Sequence, residues 1–522
     1  MRISILFVAY LLISCIYAQN NPNFRPVDKL NQVYYHIANT YVDEVAENKI
    51  VDAAILEMLE QLDPHSVYIP AKEVKEAQEP LEGNFEGVGI QFNIFKDTIL
   101  VVTPISGGPS QKLGILAGDK IIEINDSVVA GNGIRNRDVV KLLRGPKGTL
   151  VDVKIKRKGE KNLLDYTITR GKIPIYSIDA AYMINSSTGY IKINSFSAST
   201  IEEFDSCILM LKRKGLKDLI LDLSNNGGGY MHAAQALTEH FLQKNQTIVY
   251  TLDRANKKNL MMSSKSGELK KGRLIVMINE GSASASEIVS GAIQDHDRGL
   301  IVGRRSFGKG LVQAPIALGD GGMLRLTIAR YYTPSGRCIQ KPYNEGFEAY
   351  FMEQYNRLKS GELSGDSVAT MPDSLKFKTA KGRTVYGGGG IMPDVFVEID
   401  TTWFTPYYSK ITRKGYLHKF CLEYTENNRN RLNKKYADID FYIKNFEIDS
   451  SLENAFLNYV QTQGIDFNAT EYEQSKNVFK TQIKASIARN LWDSTAFYKI
   501  INNLNEIYAE AVKQMNEGWT LN

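Results

Sequence analysis

The sequence has few of the residues that build metal sites and disulfide frameworks. Its 522 residues include four cysteines and six histidines. The histidines form no i, i+4 pair and no HExxH motif, and the cysteines are widely spaced, so we predict no metal site. Apart from Cys15 in the N-terminal segment, the remaining cysteines are Cys207, Cys338 and Cys421. One disulfide or three buried thiols would both fit these three.

A strong charge excess and a second long apolar run are also lacking. The net charge is +5, on 63 basic and 58 acidic residues. That is too mild to indicate nucleic acid or an anionic membrane surface as the main partner. Beyond the N-terminal segment, no run reaches the ~18 apolar residues that a membrane span needs. The composition is that of a globular protein, and the length predicts three or four domains.

The N-terminal segment has the pattern of a secretory signal peptide. A basic residue precedes an apolar run from Ile3 to Ile13, and small or polar residues follow through Ala18. Cleavage after Ala18 is the favoured processing. The alternative is a lipoprotein box, Leu12-Ile13-Ser14-Cys15, with Cys15 lipidated; a buried N-terminal strand or helix is the structural alternative. We therefore predict an exported protein, periplasmic or associated with the cell envelope.

The residue pattern changes several times along the chain. Apolar residues recur at helical spacing from 27 to 80, and short β runs with glycines follow from Phe85. Strands and helices alternate from about Lys172 to Asp400, which predicts an α/β core. The predicted core strands are Gly189–Ile193, Leu219–Leu223, Thr247–Leu252, Leu274–Ile278, Leu300–Val302 and Met323–Tyr331. The predicted helices are Glu202–Lys212, Met231–Phe241 and Ser284–His296, followed in the tail by Phe479–Trp492 and Ala496–Met515.

The most specific chemical signal is the segment Gly281-Ser282-Ala283-Ser284-Ala285-Ser286-Glu287-Ile288. It follows an apolar strand and opens a helix, so a serine there lies at a helix N-terminus. Backbone N–H groups and the positive end of the helix dipole then point at any oxyanion formed beside it. The structural alternative is an N-cap at Ser282 or Ser284, which Glu287 would complete as a capping box.

Two further segments strengthen the catalytic interpretation. The segment Arg305–Gln313 places Lys309 between two glycines, where a partly desolvated amine could lose its proton and accept one from a serine. The alternative is an ordinary surface lysine in a turn.

The segment Leu221–Gly229 leads an apolar strand into a triple-glycine turn, which permits close approach of backbone N–H donors. It lacks the lysine and hydroxyl pair of a phosphate loop.

Together these segments resemble the carboxyl-terminal processing peptidases, also called tail-specific proteases, over roughly residues 30 to 400. The resemblance implies that Ser284 is the nucleophile and Lys309 the base. It implies that Gln313 orients the lysine. The implied oxyanion donors are the backbone N–H groups of Ala285 and Gly228.

The turn before the triple glycine departs from this family. Members often carry Arg and Pro where this chain has Ser224 and Gly227. No side-chain contact is therefore carried over at these two positions, whereas the backbone donor of the turn does not depend on them.

A second part of the resemblance lies between Phe85 and Arg170, which is similar to the PDZ domain of the same family. The run Gly87-Val88-Gly89-Ile90 matches the loop that binds a substrate's terminal carboxylate, and Gly114–Ile121 matches its partner signature. A substrate tail would add to the sheet edge as a strand. Without the family, the first run is only a strand with glycines.

The expected fold is a multidomain α/β protein with a PDZ β-barrel-like domain and a crotonase/ClpP-like protease core. The expected segments are a signal peptide (1–18), an N-terminal helical region (19–84), the PDZ domain (85–170), the peptidase core (171–400) and a C-terminal helical region (401–522). The last region is a candidate for oligomerisation or partner docking.

The predicted function is a serine endopeptidase that acts on exported proteins, recognises their C-termini and needs no cofactor. The first alternative is a catalytically inactive PDZ adaptor with a protease-like core. The second is a crotonase-like acyl-CoA enzyme, which the signal peptide disfavours because acyl-CoA is cytosolic.

Overall fold

The computed structural model describes residues 25–365 and 371–519. The predicted signal peptide and Cys15 lie outside the described residues. The chain divides into two units, Met1–Tyr68 and Ile69–Asn522. Across the described ranges, no helix combines the length and the apolar character that crossing a bilayer requires.

The first unit is mainly helical where it is described and ends in the start of β1, and the second mixes sheets and helices. The helices are α1 (Pro26–Thr40), α2 (Glu47–Glu60), α3 (Ala71–Glu82), α4 (Pro109–Lys112), α5 (Asn136–Leu143), α6 (Thr200–Arg213), α7 (Met231–Glu239), α8 (Ala285–Asp295), α9 (Phe347–Lys359), α10 (Pro406–Arg413), α11 (Tyr416–Lys435), α12 (Ile439–Asn445), α13 (Ser450–Thr462), α14 (Ala469–Leu491), α15 (Ser494–Ile501) and α16 (Glu506–Glu517).

The strands concentrate between residues 84 and 332. They are β1 (Val67–Ile69), β2 (Asn84–Gly87), β3 (Ile90–Ile94), β4 (Ile99–Pro104), β5 (Lys120–Ile124), β6 (Ser127–Val128), β7 (Leu150–Lys156), β8 (Leu164–Thr169), β9 (Gly171–Pro174), β10 (Ile178–Met183), β11 (Thr188–Ile193), β12 (Asp218–Asp222), β13 (Thr247–Asp253), β14 (Lys258–Met262), β15 (Leu274–Ile278), β16 (Leu300–Gly303), β17 (Leu311–Ala317), β18 (Met323–Tyr332), β19 (Lys376–Lys378), β20 (Thr384–Tyr386) and β21 (Val395–Phe396).

The predicted PDZ region is a small antiparallel sheet with its own apolar core. Its strand order is β3-β4-β5-β7-β8, and β6 pairs with β5. Val139 and Leu143 of α5 pack into this core with Val88. At the base of the domain, β2 pairs antiparallel with β9. Strand β3 lies at the edge of the sheet, so its outer side is available for a further strand.

The main sheet of the second unit has the order β10-β11-β12-β15-β16-β21. Strand β10 is antiparallel to β11, and the other neighbours are parallel. Every residue of β15 is buried, as expected of a strand covered on both faces. Helices α6, α7 and α8 cover one face through Phe204, Leu237 and Ile288. The predicted α/β alternation is confirmed.

The other face of this sheet is covered by a helix from far down the chain. Ile507, Ala511 and Met515 of α16 pack in one cluster with Tyr190, Ile220, Ile275 and Met277 of the sheet. Part of the second layer of the core therefore comes from beyond residue 400. The helices from α10 to α15 build a separate apolar cluster of their own.

The prediction of one continuous helix across Ala496–Met515 is wrong, because the helix is interrupted there. Helix α15 ends at Ile501, a 3₁₀ turn follows at Asn502–Leu504, and α16 begins at Glu506. The side chain of Asn505 accepts a hydrogen bond of 3.2 Å from the backbone N–H of Tyr508 and caps the new helix.

A second sheet supports the predicted site. Its strands β14, β13, β18 and β17 pair antiparallel in that order.

The three cysteines Cys207, Cys338 and Cys421 are free thiols. Cys421 is buried as expected, whereas Cys207 and Cys338 are half-buried.

Replacing Ile507 with alanine tests the packing of α16 on the sheet. Ile507 is 2% exposed, and its truncation should leave a cavity that costs about 2–5 kcal/mol of unfolding free energy. Urea unfolding followed by tryptophan fluorescence would measure the loss, because Trp519 packs against the same cluster. Leu209→Ala is the matched control, since Leu209 is 54% exposed. Equal effects of the two substitutions would contradict this packing.

Candidate active site

The nucleophile segment forms a tight loop between β15 and α8. Ser284 is the residue before the helix, and its φ of 54° and ψ of −111° are rarely adopted by a residue with a side chain. Such a conformation persists only where the surroundings hold it in place. Asn279 shapes the start of the loop, because its Oδ1 accepts the N–H groups of Gly281 at 3.1 Å and Asn225 at 2.7 Å.

The three serines of this loop have different environments. The Ser282 hydroxyl is buried, donates to the Leu223 carbonyl at 2.8 Å and accepts the Asn279 N–H at 2.9 Å. The Ser286 hydroxyl is also buried and donates to the backbone carbonyl of Asn226 at 2.8 Å. Ser284 is only half-buried. Among the three, it is the one that a substrate could reach.

A fully buried carboxylate, that of Glu287, connects the nucleophile loop to the lysine loop. It accepts the backbone N–H groups of Ser284 at 2.7 Å, Gly308 at 2.7 Å and Lys309 at 2.9 Å. The Ser306 hydroxyl donates a fourth bond at 2.5 Å. Burial raises the pKa of Glu287 to about 7, and the four hydrogen bonds limit that rise. The capping bond considered as the structural alternative is thus present, together with a strained Ser284.

The carbonyl side of the same two residues meets a buried tyrosine. The Tyr331 hydroxyl, on β18, lies 2.6 Å from the Lys309 carbonyl oxygen and 3.1 Å from that of Ser284. Its one proton is shared between them, with the shorter bond to Lys309. Burial raises the pKa of Tyr331 well above its usual range, so the hydroxyl remains a donor. Glu287 therefore binds the backbone N–H groups of both Ser284 and Lys309, and Tyr331 contacts the carbonyl oxygens of both.

Lys309 lies between β16 and β17, in a loop that passes close to a second glycine loop. A Cβ atom on Gly308 would stand 3.0 Å from the backbone nitrogen of Gly390, and Gly308 has a φ of +90°. Gln313, which is expected to orient Lys309, lies on β17. Its side-chain Nε2 donates to Thr327 Oγ1 of β18 at 3.1 Å.

The triple-glycine turn approaches the nucleophile closely. A Cβ atom on Gly228 would stand 2.8 Å from Ser284 Cβ and 3.1 Å from the Ala285 nitrogen, so only glycine fits there. The Gly228 N–H donates to the side-chain Oδ1 of Asn226 at 2.9 Å. Ala285 is the first residue of α8, where no intrahelical carbonyl is available to its N–H.

Asn226 is a site residue that sequence reasoning missed. It is fully buried, and its Nδ2 donates to the Ile193 carbonyl at 3.0 Å. Its own backbone carbonyl accepts the Ala283 N–H at 2.9 Å and the Ser286 hydroxyl at 2.8 Å. It therefore joins the sheet, the nucleophile loop and the Gly228 turn. Its place before the glycines was the only sequence signal.

The predicted carboxylate loop lies between β2 and β3 of the PDZ region. Val88 is 3% exposed, and its side chain packs into the domain core. Its carbonyl accepts both the N–H and the hydroxyl of Ser110, at 3.1 and 2.7 Å. Gly89 has a φ of +76°, and Ile90 opens the edge strand.

A histidine with two carboxylates beside it lies outside these loops. Asp205 Oδ1 stands 3.3 Å from His240 Nε2, and Glu268 Oε1 stands 3.5 Å from His240 Nδ1. Lys212 also pairs with Glu268. Burial lowers the pKa of His240, which favours the neutral ring. Because the two carboxylates face opposite ring nitrogens, they are poorly placed to bind one metal ion together with the ring.

Comparison with known proteins agrees with this architecture. Residues 187–348 match the family described as peptidase family S41, and residues 87–168 match the PDZ domain. Residues 15–73 match the activating protease CtpB N-terminal domain, and residues 407–493 match a family of unknown function.

Curated relatives extend the match. The carboxy-terminal-processing protease of Bartonella bacilliformis is 38% identical over 61% of this chain and 73% of its own length. The carboxy-terminal processing protease CtpB of Bacillus subtilis is 35% identical over 61% of this chain and 66% of its own, slightly under two thirds. A photosystem II D1 C-terminal processing protease structure is 24% identical, with a TM-score of 0.36, over 71% of this chain and 92% of that one.

These matches define a class of serine peptidases with a PDZ domain. The chain belongs to the carboxy-terminal processing proteases of peptidase family S41.

Glu287→Gln tests the buried carboxylate. The amide has one acceptor oxygen and brings two N–H donors against N–H groups, so we expect a loss of at least ~2 kcal/mol in unfolding free energy. The pKa of Glu287 in the folded protein, about 7, exceeds the reference value of 4.5. The contribution of this group to the unfolding free energy of the wild type is therefore fully present below pH 4.5, and it is lost as the pH rises through 7.

The stability gap between wild type and Glu287→Gln should therefore narrow from pH 5 to pH 8. Unfolding free energies at several pH values would measure it. Glu202→Gln, at an exposed helix position, is the control and should show a small gap at every pH. A gap for Glu287→Gln that widens with pH would contradict the raised pKa.

Proposed function

We propose that this chain is an endopeptidase in which Ser284 is the nucleophile and Lys309 the general base. The observation that supports this most is the shared anchoring of the two residues. Glu287 accepts both of their backbone N–H groups, and Tyr331 contacts both of their carbonyls. A nucleophile and a base that must exchange a proton need such a fixed relative position.

In the proposed reaction, the neutral amine of Lys309 takes the proton of the Ser284 hydroxyl as its oxygen attacks the peptide carbonyl. The tetrahedral intermediate collapses when the leaving amine receives that proton from Lys309. A water molecule then attacks the acyl-enzyme while Lys309 accepts its proton, and Lys309 returns that proton to the Ser284 oxygen as the new carboxyl product leaves.

The oxyanion would lie between the helix N-terminus and the glycine turn. The Ala285 N–H is the first donor, since it opens α8 at the positive end of the helix dipole. The second is the Gly228 N–H. Because that N–H donates to Asn226 Oδ1, the oxyanion must share or replace this bond when it forms. Gln313 would then act only through the orientation of Lys309.

Ser284→Ala and Lys309→Ala should each lower kcat/KM by at least ~10³-fold, because each removes a member of the dyad. Peptide cleavage assays would measure the loss, with Lys244→Ala, an exposed lysine, as the control. Gln313→Ala should have a milder effect. Substantial activity in either dyad variant would disprove the assignment.

The choice among the three serines is tested separately with a fluorophosphonate probe and peptide mass spectrometry. The label should map to Ser284, because the hydroxyls of Ser282 and Ser286 are buried in structural hydrogen bonds. A label on either of the others would refute the choice. No label and no cleavage at all would favour the inactive PDZ adaptor.

We further propose that the PDZ region captures substrate C-termini at β3. The loop Gly87-Val88-Gly89-Ile90 leads directly into this edge strand, which can accept an added strand from a substrate tail. The half-buried Ile90 would contribute to an apolar pocket for the last side chain. The chain is proposed to act on exported proteins, with a signal peptide cleaved after Ala18 or a lipid anchor at Cys15.

A peptide that ends in an apolar residue with a free carboxylate should bind at least ~10-fold more tightly than its C-terminal amide, because the amide loses the charge-assisted hydrogen bonds. Calorimetry on the intact Ser284→Ala protein would compare the two without cleavage. Equal affinities would contradict tail recognition. Unequal affinities with equal cleavage rates in the wild type would mean that the domain only tethers its partner.

A further inference from the structure

A buried ion pair lies beneath the glycine turn, and the proposed reaction does not use it. Lys192 is on β11 and Asp222 ends β12, and they are 6% and 2% exposed. The Lys192 Nζ is 3.1 Å from Asp222 Oδ1. Burying two charges is costly, and such a pair is weak support for stability in itself. Its position suggests a different role.

Both members of the pair bind the first residue of the turn. The Lys192 Nζ donates to the backbone carbonyl of Ser224, and the Ser224 N–H donates to Asp222 Oδ1 at 2.8 Å. The two peptide groups that flank Ser224 are thus held by opposite charges. From this point the chain runs through Asn226 to Gly228, so the pair sets where the turn leaves the sheet.

The second oxygen of Asp222 is bound by an aromatic cluster that reaches the C-terminal helices. The Tyr190 hydroxyl donates to Asp222 Oδ2 at 2.6 Å. The Tyr190 ring meets Tyr508 of α16 edge-on, with centroids 5.4 Å apart, and Tyr182 at 5.0 Å. Asn502 donates to the Tyr182 hydroxyl at 2.9 Å. Tyr508 of α16 therefore packs directly on Tyr190, the residue that donates to Asp222.

We propose that Lys192 is a positioning residue for the oxyanion turn, and that Tyr508 of α16 supports the same turn through Tyr190. This inference rests on the proposed peptidase function. Lys192 acts on the reaction only through the Ser224 peptide, and the turn then presents the Gly228 N–H beside Ser284. Loss of the lysine should weaken binding of the tetrahedral intermediate more than binding of the substrate.

The main test compares Lys192→Met with the double variant Lys192→Met, Asp222→Asn. The single variant leaves a buried carboxylate without its cation, so both stability and activity should fall. The double variant removes both charges. Its amide oxygen can still accept the Ser224 N–H, and its amide nitrogen can donate to the Tyr190 hydroxyl, which reverses the direction of that bond. Its thermal midpoint should recover, whereas its kcat should stay about 10²-fold low, because the Ser224 carbonyl still lacks its donor.

A second readout separates positioning from general damage. A peptide boronic acid forms a tetrahedral adduct on the serine and should lose affinity in parallel with kcat/KM, while KM changes less than about 3-fold. Tyr508→Ala should shift kcat in the same direction, and Tyr508→Phe less, since it keeps the ring. Lys214→Met, an exposed lysine at the end of α6, is the control.

Each outcome decides the inference. A double variant that recovers both stability and kcat would overturn it, because the pair would then be structural only. A kcat within about 3-fold of wild type in Lys192→Met would also overturn it. If the wild-type protein is not labelled by the fluorophosphonate, the proposed function fails instead, which is a different result from a labelled protein that is insensitive to Lys192.

Discussion

The site depends on the burial of one carboxylate, that of Glu287. A buried carboxylate is costly unless hydrogen bonds replace the water it has lost. Here four donors do so, and they come from the nucleophile loop and from the lysine loop. The two loops can therefore satisfy this group in only one relative position. That requirement ties Ser284, through Glu287 of the helix that it caps, to the lysine loop, and Tyr331 repeats the restraint on the carbonyl side.

Local patterns predicted much of this protein. Strand β15 was predicted at Leu274–Ile278 and is observed with the same bounds, because a strand buried on both faces is a continuous apolar run. The roles of Ser284 and Lys309 remain predictions, although both residues were identified from their immediate neighbours. Tyr331 and Asn226 could not be identified in this way. They are ordinary residues of a strand and a turn, and only the fold brings them to the loops.

Contacts across strands and breaks in helices are further features that local sequence patterns do not reveal. The amide of Gln313 donates to Thr327 because β17 and β18 place these residues opposite each other, which a single segment does not reveal. The periodicity of the tail continues through the break before α16, because apolar spacing alone does not show where Asn505 caps a new helix. The sequence around residue 400 likewise gives no sign that α16 packs on strands hundreds of residues earlier.

The position of α16 also has a consequence during synthesis. Arg273, just before β15, donates to the carbonyl of Met515, 242 residues later. At ribosomal rates of about 5–20 residues per second, the sheet waits roughly 10–50 s for the helix that covers it. During that time the chain already carries Ser284 and Lys309, but the tyrosines behind the glycine turn have no cover. On the role proposed for Tyr508, a nascent chain should therefore be a poor peptidase until α16 has been synthesised and packed on the sheet.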